Sequence, residues 1–536
     1  MKPSIFNDVI GPVMRGPSSS HTAASHRIGT LIRQICSPEN GKILVEFDRK
    51  GSLATTYEGQ GSAMGLICGL LGVSILDPAV IRYKELAKER NLNIEFVVTD
   101  YKASHPNTYK IQVESDKQEQ FRFIAISTGG GMFELNRING FEVTIRGDYF
   151  ETLICCDSTS VDDIQQLLLL LKSRTIHSEI ELFRKGETNF LINIKSRESL
   201  LANVNQLISD FKDLSWIRQT DPVLPILSGV KQKLPFETVG EMMMLAEKNG
   251  YDLAELAILY ESARAGIDSP KVISLMRDIV LHIQNSIQKG LNGTIYADRI
   301  LGHQCHMILE AEKRNRIIKN PINTIIAYVT ALMETKSSMG IIVAAPTAGS
   351  SGLLGGAIFG LAEGFTGDIE RITKAFLAGG LIGVFIADKY TFAAEEGGCQ
   401  VECGAASGMA AAGLVQLMGG TAKEAVGAAS MALQNLLGLV CDPVADRVEV
   451  PCLGKNILGA TNALSSANMS LAGFDPVIPL DEVIDAMKSV GDALPSSLCC
   501  TGCGGLSVTP TALKLHEKLK MSCIKVISDI NSDQQQ

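Results

Sequence analysis

The sequence predicts an α+β N-terminal domain, a small βαββαβ middle module and a large all-α C-terminal domain. Up to residue 221, β-branched or alternating apolar runs mix with helical periodicity, whereas after residue 230 the periodicity is helical throughout. A chain of 536 residues is long enough for several domains. We therefore expect domains at residues 1–148, 149–222 and 230–536.

The N-terminal domain combines strands with two helices. Its strand candidates are short and rich in β-branched or aromatic residues, and its helix candidates show apolar residues at helical spacing. The predicted strands are Lys42–Asp48, Asn93–Thr99, Tyr109–Val113, Phe121–Ser127 and Phe141–Arg146, and the predicted helices are Thr22–Ile35 and Gln60–Leu71.

The middle module follows the order of a split ferredoxin-like unit. Its predicted elements are Tyr149–Cys156, Ser160–Lys172, Ser178–Lys185, Asn189–Lys195, Glu198–Asp210 and Leu214–Asp221, of which the second and fifth are helices. Modules of this order often sense small molecules, but the fold alone does not establish that role.

The C-terminal domain is predicted to be helical. Its predicted helices are Thr238–Asn249, Asp252–Ala263, Pro270–Gly290, His303–Lys319 and Pro321–Lys336, followed by apolar, glycine-rich helices that include Ala425–Val440. His303 and His306 flank Cys305, a spacing that a metal site can use. Histidines on an ordinary helix face are the commoner case, and the sequence favours that interpretation.

Composition excludes some classes of partner. The net charge of −9 argues against binding to nucleic acid or to an anionic membrane surface. The segment 337–362 has no charged residue and is long enough to cross a bilayer, but Pro346 and several glycines interrupt it. We therefore expect a buried helical core and no membrane partner, with a membrane carrier as the alternative.

Cysteine usage predicts a cytoplasmic protein. The chain contains 13 cysteines, an odd number spread along its length, which does not resemble a secreted disulfide framework. The first 15 residues lack the apolar core of a signal peptide.

A polar segment near the N-terminus is the first candidate site. Two Gly-Pro turns precede Ser18, Ser19, Ser20, His21 and Thr22, which open a predicted helix. Unpaired amides at a helix start, with hydroxyls and an imidazole beside them, suit a carboxylate or a phosphate. One residue would suffice as an ordinary helix cap, so five consecutive polar residues favour a binding site.

A second candidate for anion binding is the segment 345–352, A-P-T-A-G-S-S-G. Glycine allows close approach of the backbone, and Thr347, Ser350 and Ser351 present hydroxyls before a predicted helix that begins at Leu353. The segment lacks the Gly-Lys-Ser/Thr ending of a nucleotide-binding P-loop, which makes phosphate hydrolysis a poor interpretation.

Cysteines at 399, 441 and 452 form the third candidate site. Cys441 and Cys452 adjoin proline turns in a segment dense with charge. We hypothesise that Cys399, Cys441 and Cys452 hold an iron–sulfur cluster with one iron that has no protein ligand. The alternative is that these cysteines are small buried hydrophobes. Cys499, Cys500 and Cys503 form a second group, weak as a zinc site by itself.

Motifs along almost the whole chain resemble those of the iron–sulfur-dependent L-serine dehydratases, or L-serine ammonia-lyases. The matching segments include G-P-S-S-S-H-T, C-D-P-V-A and V-E-V-P-C, and they lie at 16–22, 345–351, 398–400, 407–413, 441–445, 448–452, 504–505 and 509–510. The resemblance implies an N-terminal β domain fused to a helical α domain, with a middle module similar to an ACT-type domain.

The resemblance also implies a cofactor and roles for site residues. Cys399, Cys441 and Cys452 match the three ligands of a 4Fe-4S cluster, whose fourth iron would take the carboxylate and hydroxyl of an amino-acid substrate. His21 is the candidate acid–base residue, since imidazole titrates near neutral pH. The candidate substrate contacts are Ser19, Ser20, Thr22, Thr347, Gly349 and Ser350.

The chain departs from the family pattern in the first domain. Family members commonly carry Gly-His-Gly-Thr-Asp, whereas this chain has Q-G-S-A-M-G at 60–65, so that Ser62 replaces the expected histidine. The identity of the base and of the substrate therefore stays open. Arg447 adds a charge after the C-D-P-V-A segment, and Cys523 is a candidate for the C-terminal cysteine that covers the open iron in some relatives.

The leading functional hypothesis is deamination of L-serine to pyruvate and ammonia. A second hypothesis is a lyase that acts on a related β-substituted amino acid such as cysteine or threonine. A third is a non-catalytic sensor of amino-acid or redox status. Glycine-rich helical cores and sites shared by two domains make a homodimer the expected assembly.

Overall fold

Strands are concentrated before residue 221 and long helices follow residue 238. The computed structural model describes residues 2–37, 41–115, 119–209, 211–229, 233–296, 299–364 and 367–519. These residues form two units, which we call the helical unit (from Met1–Ser20 and Gln232–Gln536) and the sheet unit (from His21–Lys231). The mixed N-terminal region and the helical C-terminal region are confirmed, and the predicted domain boundaries stay predictions.

The strands of the described residues are β1 (Val13–Arg15), β2 (Lys42–Asp48), β3 (Asn93–Thr99), β4 (Thr108–Glu114), β5 (Gln120–Gly129), β6 (Met132–Ile138), β7 (Phe141–Ile145), β8 (Phe150–Asp157), β9 (Glu179–Lys185), β10 (Asn189–Ser196), β11 (Leu214–Thr220) and β12 (Ile341–Val343).

The helices are α1 (Ala24–Cys36), α2 (Leu53–Thr56), α3 (Ser62–Leu70), α4 (Tyr83–Glu89), α5 (Val161–Arg174), α6 (Leu201–Leu207), α7 (Val239–Asn249), α8 (Leu253–Ala265), α9 (Ser269–Leu291), α10 (Cys305–Lys313), α11 (Pro321–Ser337), α12 (Ser351–Ala362), α13 (Ile369–Lys389), α14 (Ala394–Gly397), α15 (Cys403–Leu417), α16 (Ala422–Gln434), α17 (Cys452–Leu471) and α18 (Leu480–Ala493).

The larger sheet of the sheet unit has the strand order β3-β2-β4-β5-β6-β7. β2 pairs in parallel with β3, and the remaining pairs are antiparallel. β2 and β3 have the predicted bounds. Strand β6 was not predicted from the sequence, because Asn136 and Arg137 interrupt its apolar pattern.

The second sheet has the order β11-β8-β10-β9, and its elements follow each other as βαββαβ. Ile154, Leu167, Phe190 and Val204 belong to the core between this sheet and its two helices. The predicted helix Glu198–Asp210 corresponds to α6, and Asp210 lies outside the described residues. The likeness to ACT-type modules stays a prediction.

Helix α15 is at the centre of the helical unit, and every one of its side chains is buried. It packs against α12, α13, α16 and α17. A Cβ atom on Gly379 would lie 2.7 Å from the carbonyl oxygen of Met409, so glycine is what lets α13 and α15 approach this closely. No helix among the described residues is long and apolar enough to cross a membrane.

The predicted helix Ala425–Val440 is wrong at both ends. α16 begins at Ala422, after a capping box in which Thr421 and Glu424 satisfy each other's backbone amides. It ends at Gln434, and Gly438 follows in a left-handed conformation with φ of +80°. The residues after α16 therefore form a loop that leads to Cys441.

The first residues of the chain are built into the helical unit. Strand β1 pairs antiparallel with β12, and Val13 lies opposite Val343. The buried carboxylate of Glu261 accepts hydrogen bonds from the Ser4 hydroxyl at 2.5 Å and from the Ile5 amide at 2.8 Å. These contacts fix the chain just before the serine-rich segment.

A glycine at a helix crossing provides a test of this packing. A Cβ atom on Gly356 of α12 would lie 2.6 Å from the amide nitrogen of Val329 on α11. We expect Gly356→Ala to lower the free energy of unfolding by about 1–3 kcal/mol, because the two backbones must separate. Thermal unfolding followed by circular dichroism measures this change.

The matched control is Gly240→Ala at the exposed start of α7, where the nearest atom to a new Cβ lies 4.0 Å away. We expect its effect to stay within about 0.5 kcal/mol. Equal unfolding midpoints for the two variants would contradict the close crossing of α11 and α12.

Candidate active site

The three cysteines predicted as cluster ligands lie in the helical unit at the ends of helical segments. Cys399 begins a short turn after α14, Cys441 lies in the loop that follows α16, and Cys452 is the first residue of α17. Gly398 precedes the first cysteine with φ of +71°, a conformation that favours glycine. All three cysteine side chains are buried.

Electrostatic interactions connect these thiols with two others. Cys399 interacts with both Cys441 and Cys452. Cys403 is hydrogen-bonded to Cys399, and Cys500 is hydrogen-bonded to Cys441. The backbone amide of Cys500 also donates to the carbonyl oxygen of Cys441 at 2.9 Å. We call these five side chains the thiol group.

Three thiols of this group, Cys403, Cys441 and Cys452, hold their protons strongly when no cation binds them. Burial raises the pKa of Cys452 to about 12. The hydrogen bond to Cys399, together with burial, raises the pKa of Cys403 well above its ordinary value. A hydrogen bond to Cys500 and burial do the same for the pKa of Cys441. A metal must therefore displace protons to bind here, as thiolate ligation requires.

Lys336 approaches the thiol group from the end of α11. Its side chain is fully buried, and its ammonium group donates a hydrogen bond to the carbonyl oxygen of Val448. Burial lowers the pKa of Lys336, and the negative charges of Cys452 and Glu449 oppose that shift. A buried ammonium group is costly unless an anionic partner faces it.

Lys455, one turn into α17, is the second cation near the thiol group. Its Nζ atom lies 2.6 Å from Asp442 Oδ1 and 2.6 Å from the carbonyl oxygen of Val440. Burial acts to lower its pKa, but the Cys399 thiolate and the Asp442 carboxylate outweigh burial and raise the pKa overall. Several buried thiols that interact with two ammonium groups fit an anionic iron–sulfur cluster.

The segment predicted to bind anions lies beside the same residues. The Thr347 hydroxyl donates to Glu402 Oε1 at 2.5 Å, and the amide of Ala348 donates to the Ser19 hydroxyl at 3.1 Å. The Ser350 hydroxyl accepts from the Thr347 amide at 3.3 Å and donates to the carbonyl oxygen of Ala345 at 3.1 Å. Ser350 thus holds the shape of the loop, and its contact with substrate stays a prediction.

Gly349 is held between Asn456 and Glu402. The Asn456 side-chain amide donates at 2.8 Å to the carbonyl oxygens of both Gly349 and Cys452. A Cβ atom at position 349 would lie 2.6 Å from Glu402 Oε1, so this position accommodates only glycine without a shift. Asn456 therefore links the loop directly to a predicted cluster ligand.

Glu402 is an ionisable group that the sequence analysis did not select. It lies between Cys399 and Cys403 in sequence and accepts the hydrogen bond from Thr347. Burial raises the pKa of Glu402 to about 7, while Thr347, Lys336 and Lys455 act to lower it. A carboxyl group with a pKa near neutrality is suited to proton transfer.

Two residues near the thiol group that were not selected from the sequence, Glu402 and Cys403, could have been recognised from their position in the sequence. Glu402 and Cys403 interrupt an otherwise uncharged apolar stretch directly after Cys399, in the pattern C-Q-V-E-C. Nothing in the sequence identifies Lys336 and Lys455 as site residues, because only the packing of α11 and α17 brings them near the thiol group.

The serine-rich segment is divided between the two units. Ser19 contacts the Thr347 loop as described above, and Ser20 is buried. His21 and Thr22 begin the sheet unit. The Thr22 hydroxyl donates to the carbonyl oxygen of Gln60 at 3.0 Å. The roles of these residues toward a substrate stay predictions.

His21 is buried, and its Nε2 atom lies 2.9 Å from the Thr56 hydroxyl. Burial lowers the pKa of His21 to about 4, so the imidazole is neutral at physiological pH. Ser62, which replaces the family histidine, is also buried, and its hydroxyl lies 3.0 Å from the Tyr109 hydroxyl. Ser62 therefore takes part in an internal hydrogen bond.

The remaining C-terminal cysteines have different surroundings. The Cys499 thiol is buried and donates to the carbonyl oxygen of Glu396 at 3.7 Å. Cys503 is exposed. Cys523, the candidate for covering the open iron, lies outside the described residues.

Comparison with known protein sequences identifies the family of this chain. The family described as "Serine dehydratase alpha chain" matches residues 242–507. The chain is 35% identical over 285 residues to "Probable L-serine dehydratase, alpha chain" of Bacillus subtilis (strain 168), which covers 53% of this chain and 95% of that protein. The chain belongs to this family.

Two further relatives extend the comparison. The chain is 41% identical over 151 residues to "Probable L-serine dehydratase, beta chain" of Bacillus subtilis (strain 168), covering 28% of this chain and 67% of that protein. It is 30% identical over 284 residues to "L-serine dehydratase 1" of Escherichia coli (strain K12), covering 51% of this chain and 62% of that protein. Both alpha-chain and beta-chain proteins thus resemble parts of this chain.

The buried His21 predicts a specific loss of stability in acid. Because the folded-state pKa is about 4 and the ordinary value is 6.5, protonation favours the unfolded state as the pH falls through this interval. We expect wild type to lose up to about 3 kcal/mol between these pH values that His21→Gln does not lose. Unfolding followed by fluorescence of Trp216, the single tryptophan, reports on the sheet unit.

His177→Gln is the control, because His177 is exposed in the same unit. We expect its pH dependence to equal that of wild type. An identical pH dependence for His21→Gln and wild type would show that His21 is not buried in its neutral form.

Proposed function

We propose that this protein is an L-serine ammonia-lyase that converts L-serine to pyruvate and ammonia at the thiol group. The chain is an enzyme of the serine dehydratase family, and relatives with the printed name L-serine dehydratase support this substrate. The observation that carries the proposal is the set of buried thiols that interact electrostatically with Lys336 and Lys455.

We assign Cys399, Cys441 and Cys452 as the three protein ligands of a 4Fe-4S cluster. When bound, a cluster with one iron free of protein ligands supplies a Lewis acid for the hydroxyl group that leaves. The ammonium groups of Lys336 and Lys455 balance the negative charge of the cluster and its thiolates. Cys403 and Cys500 remain thiols that border the site.

The loop at Thr347, Gly349 and Ser350 binds the carboxylate of serine, with Ser19, Ser20 and Thr22 from the N-terminal segment. Hydroxyls and backbone amides are suited to this anion. The Asn456 Oδ1 atom is buried and has no hydrogen-bond partner in the part of the chain that the structure describes, so it is an acceptor for the amino group of the substrate. These contacts orient the Cα–H bond and the hydroxyl for elimination.

Neutral His21 acts as the base that removes the Cα proton. The electron pair of that bond forms the Cα–Cβ double bond, and the hydroxyl leaves with a proton as water. The resulting aminoacrylate tautomerises to an imine, and water hydrolyses the imine to pyruvate and ammonia. The resemblance of the segment 16–22, G-P-S-S-S-H-T, to the family motif supports this assignment.

Glu402 is a second acid–base group for the same reaction. Its carboxyl accepts a hydrogen bond from Thr347 and has a pKa of about 7. Glu402 is therefore suited to give a proton to the leaving hydroxyl, since a carboxyl with this pKa is partly protonated at neutral pH.

The pH dependence of kcat/KM separates the two proton-transfer roles. A base with the pKa of His21, about 4, is fully deprotonated and therefore active above about pH 5. An acid with the pKa of Glu402, about 7, predicts a decline as the pH rises through neutrality. We expect His21→Gln to lower kcat by at least about 100-fold, and Glu402→Gln to remove the decline.

Pyruvate release, measured anaerobically with L-serine, gives these values, and iron content is measured on the same samples. Unchanged turnover in His21→Gln would remove His21 from the reaction. A decline that persists in Glu402→Gln would assign it to another group. Cysteine and threonine belong in the same assay, because Ser62 replaces the family histidine.

Replacement of single cysteines tests the ligand assignment. We expect Cys441→Ser and Cys452→Ser to lower iron content and visible absorbance of the anaerobically purified protein, because three thiolates hold the cluster. Cys403→Ser should retain iron, since it is not assigned as a ligand. The control is Cys68→Ser, a buried cysteine of the sheet unit.

Equal iron content in wild type and Cys441→Ser or Cys452→Ser would refute the assignment. Loss of iron in Cys403→Ser alone would transfer the ligand role to that thiol. The expected homodimer and the cytoplasmic location stay predictions.

A further inference from the structure

A second cluster of side chains that can bind a metal ion lies in the helical unit, where the loop before α10 contacts α11. One ligand atom from each of His303, Cys305 and Glu334 lies within 4.8 Å of the others. Cys305 and Glu334 are buried, and His303 is partly buried. These residues belong neither to the thiol group nor to the Thr347 loop.

The donor atoms have nearly the spacing of a zinc coordination sphere. Zn–N, Zn–O and Zn–S bonds of about 2.0–2.3 Å in a tetrahedron place neighbouring ligand atoms about 3.4–3.5 Å apart. The Cys305 Sγ atom lies 3.8 Å from His303 Nδ1 and 3.9 Å from its Nε2. His303 Nδ1 lies 2.7 Å from Glu334 Oε2. Shifts below about 1 Å would therefore bring these three residues to tetrahedral spacing, whereas His306 lies outside the group of atoms within 4.8 Å and would have to move farther.

A fourth side chain at this place has an unused buried atom. The His306 ring stacks on the His303 ring with 4.6 Å between centroids. His306 Nδ1 is buried and has no hydrogen-bond partner among the described residues. A buried ring nitrogen without a partner is unusual in a folded protein, and a metal ion would satisfy it.

The alternative interpretation is a hydrogen-bonded cluster that only joins two segments. Glu334 accepts from His303 and, at 2.6 Å, from the amide of Gln304, and the Cys305 thiol donates to the carbonyl oxygen of Gly290 at 3.3 Å. This interpretation accounts for Glu334, but not for the unpaired nitrogen of His306. It also gives no reason for a thiol beside a carboxylate and two imidazoles.

We propose that His303, Cys305 and Glu334 bind a zinc ion, with His306 as the fourth ligand. Nitrogen, sulfur and oxygen donors in one tetrahedral set are typical of Zn²⁺. Binding releases the Cys305 proton and any proton shared by His303 and Glu334, so the zinc ion replaces protons without any oxidation or reduction. Four protein ligands leave no open position, which defines a structural site.

The zinc ion would fix the end of α11 that carries Lys336. Glu334 lies two residues before Lys336 on this helix, and three of the four ligands come from the loop and first turn of α10. The zinc site therefore supports the position of a lysine beside the thiol group. It is chemically separate from the iron ligands, because it shares no residue with them.

Zinc and iron measured in the same sample test this proposal. The full-length protein is purified anaerobically without chelators, equilibrated with Zn²⁺ and desalted. We expect one zinc per chain in wild type and at least about tenfold weaker zinc binding in Cys305→Ser and in His303→Gln. Cys68→Ser, the buried-cysteine control, should retain its zinc.

Cobalt substitution provides a second, spectroscopic measurement. In wild type, Co²⁺ at this site should give a thiolate charge-transfer band and the visible absorption of a tetrahedral ion. The band should be lost in Cys305→Ser and retained in Cys441→Ser. Absence of zinc from Zn²⁺-equilibrated wild type, or a cobalt band that is lost only in Cys441→Ser, would overturn the proposal.

Discussion

The interaction on which the rest of the structure depends is the electrostatic interaction of two lysine ammonium groups with the thiol group. Lys336 is fully buried, and Lys455 lies against Asp442 within the same region. Cations in such a place are stabilised only by nearby negative charge. The thiols supply that charge when a metal has displaced their protons. The fold, the cofactor and the charge balance of the site are therefore linked through these two side chains.

Small residues make this arrangement possible. Helix α15 starts at Cys403 and is surrounded by other helices, so its neighbours can approach only where glycine removes a side chain. Gly379 and Gly413 do this at the crossing of α13 and α15. The same close packing carries Glu402 to the Thr347 loop, where Gly349 leaves room for its carboxylate. The high glycine content and the geometry of the site therefore both follow from the close packing of the helices around α15.

The sequence was sufficient for features that depend on local pattern. β2 and β3 have their predicted bounds because alternation and β-branched residues define them, and the three cysteines and the Thr347 loop were selected by motif. Features that depend on contacts between residues distant in sequence could not be predicted from the sequence. In the sequence, Lys336 resembles any lysine at the end of a helix, and only the structure shows its interaction with Cys452. The helix predicted at Ala425–Val440 extended too far because apolar residues continue after Gln434, where α16 ends. Gly438, in a left-handed conformation, lies in the loop that follows. The spacing of His303, Cys305 and His306 was recognised in the sequence. A metal site became a reasonable proposal only when the structure placed Glu334, which is distant in sequence, beside them.

The central claim is that three thiolates hold a four-iron cluster with one iron open to the substrate. Mössbauer spectroscopy of the anaerobically prepared protein, with and without L-serine, tests it most directly. The account predicts that one of the four irons changes its isomer shift when serine is added and that the other three do not. A protein that turns over serine without iron, or a spectrum in which serine changes none of the irons, would contradict it.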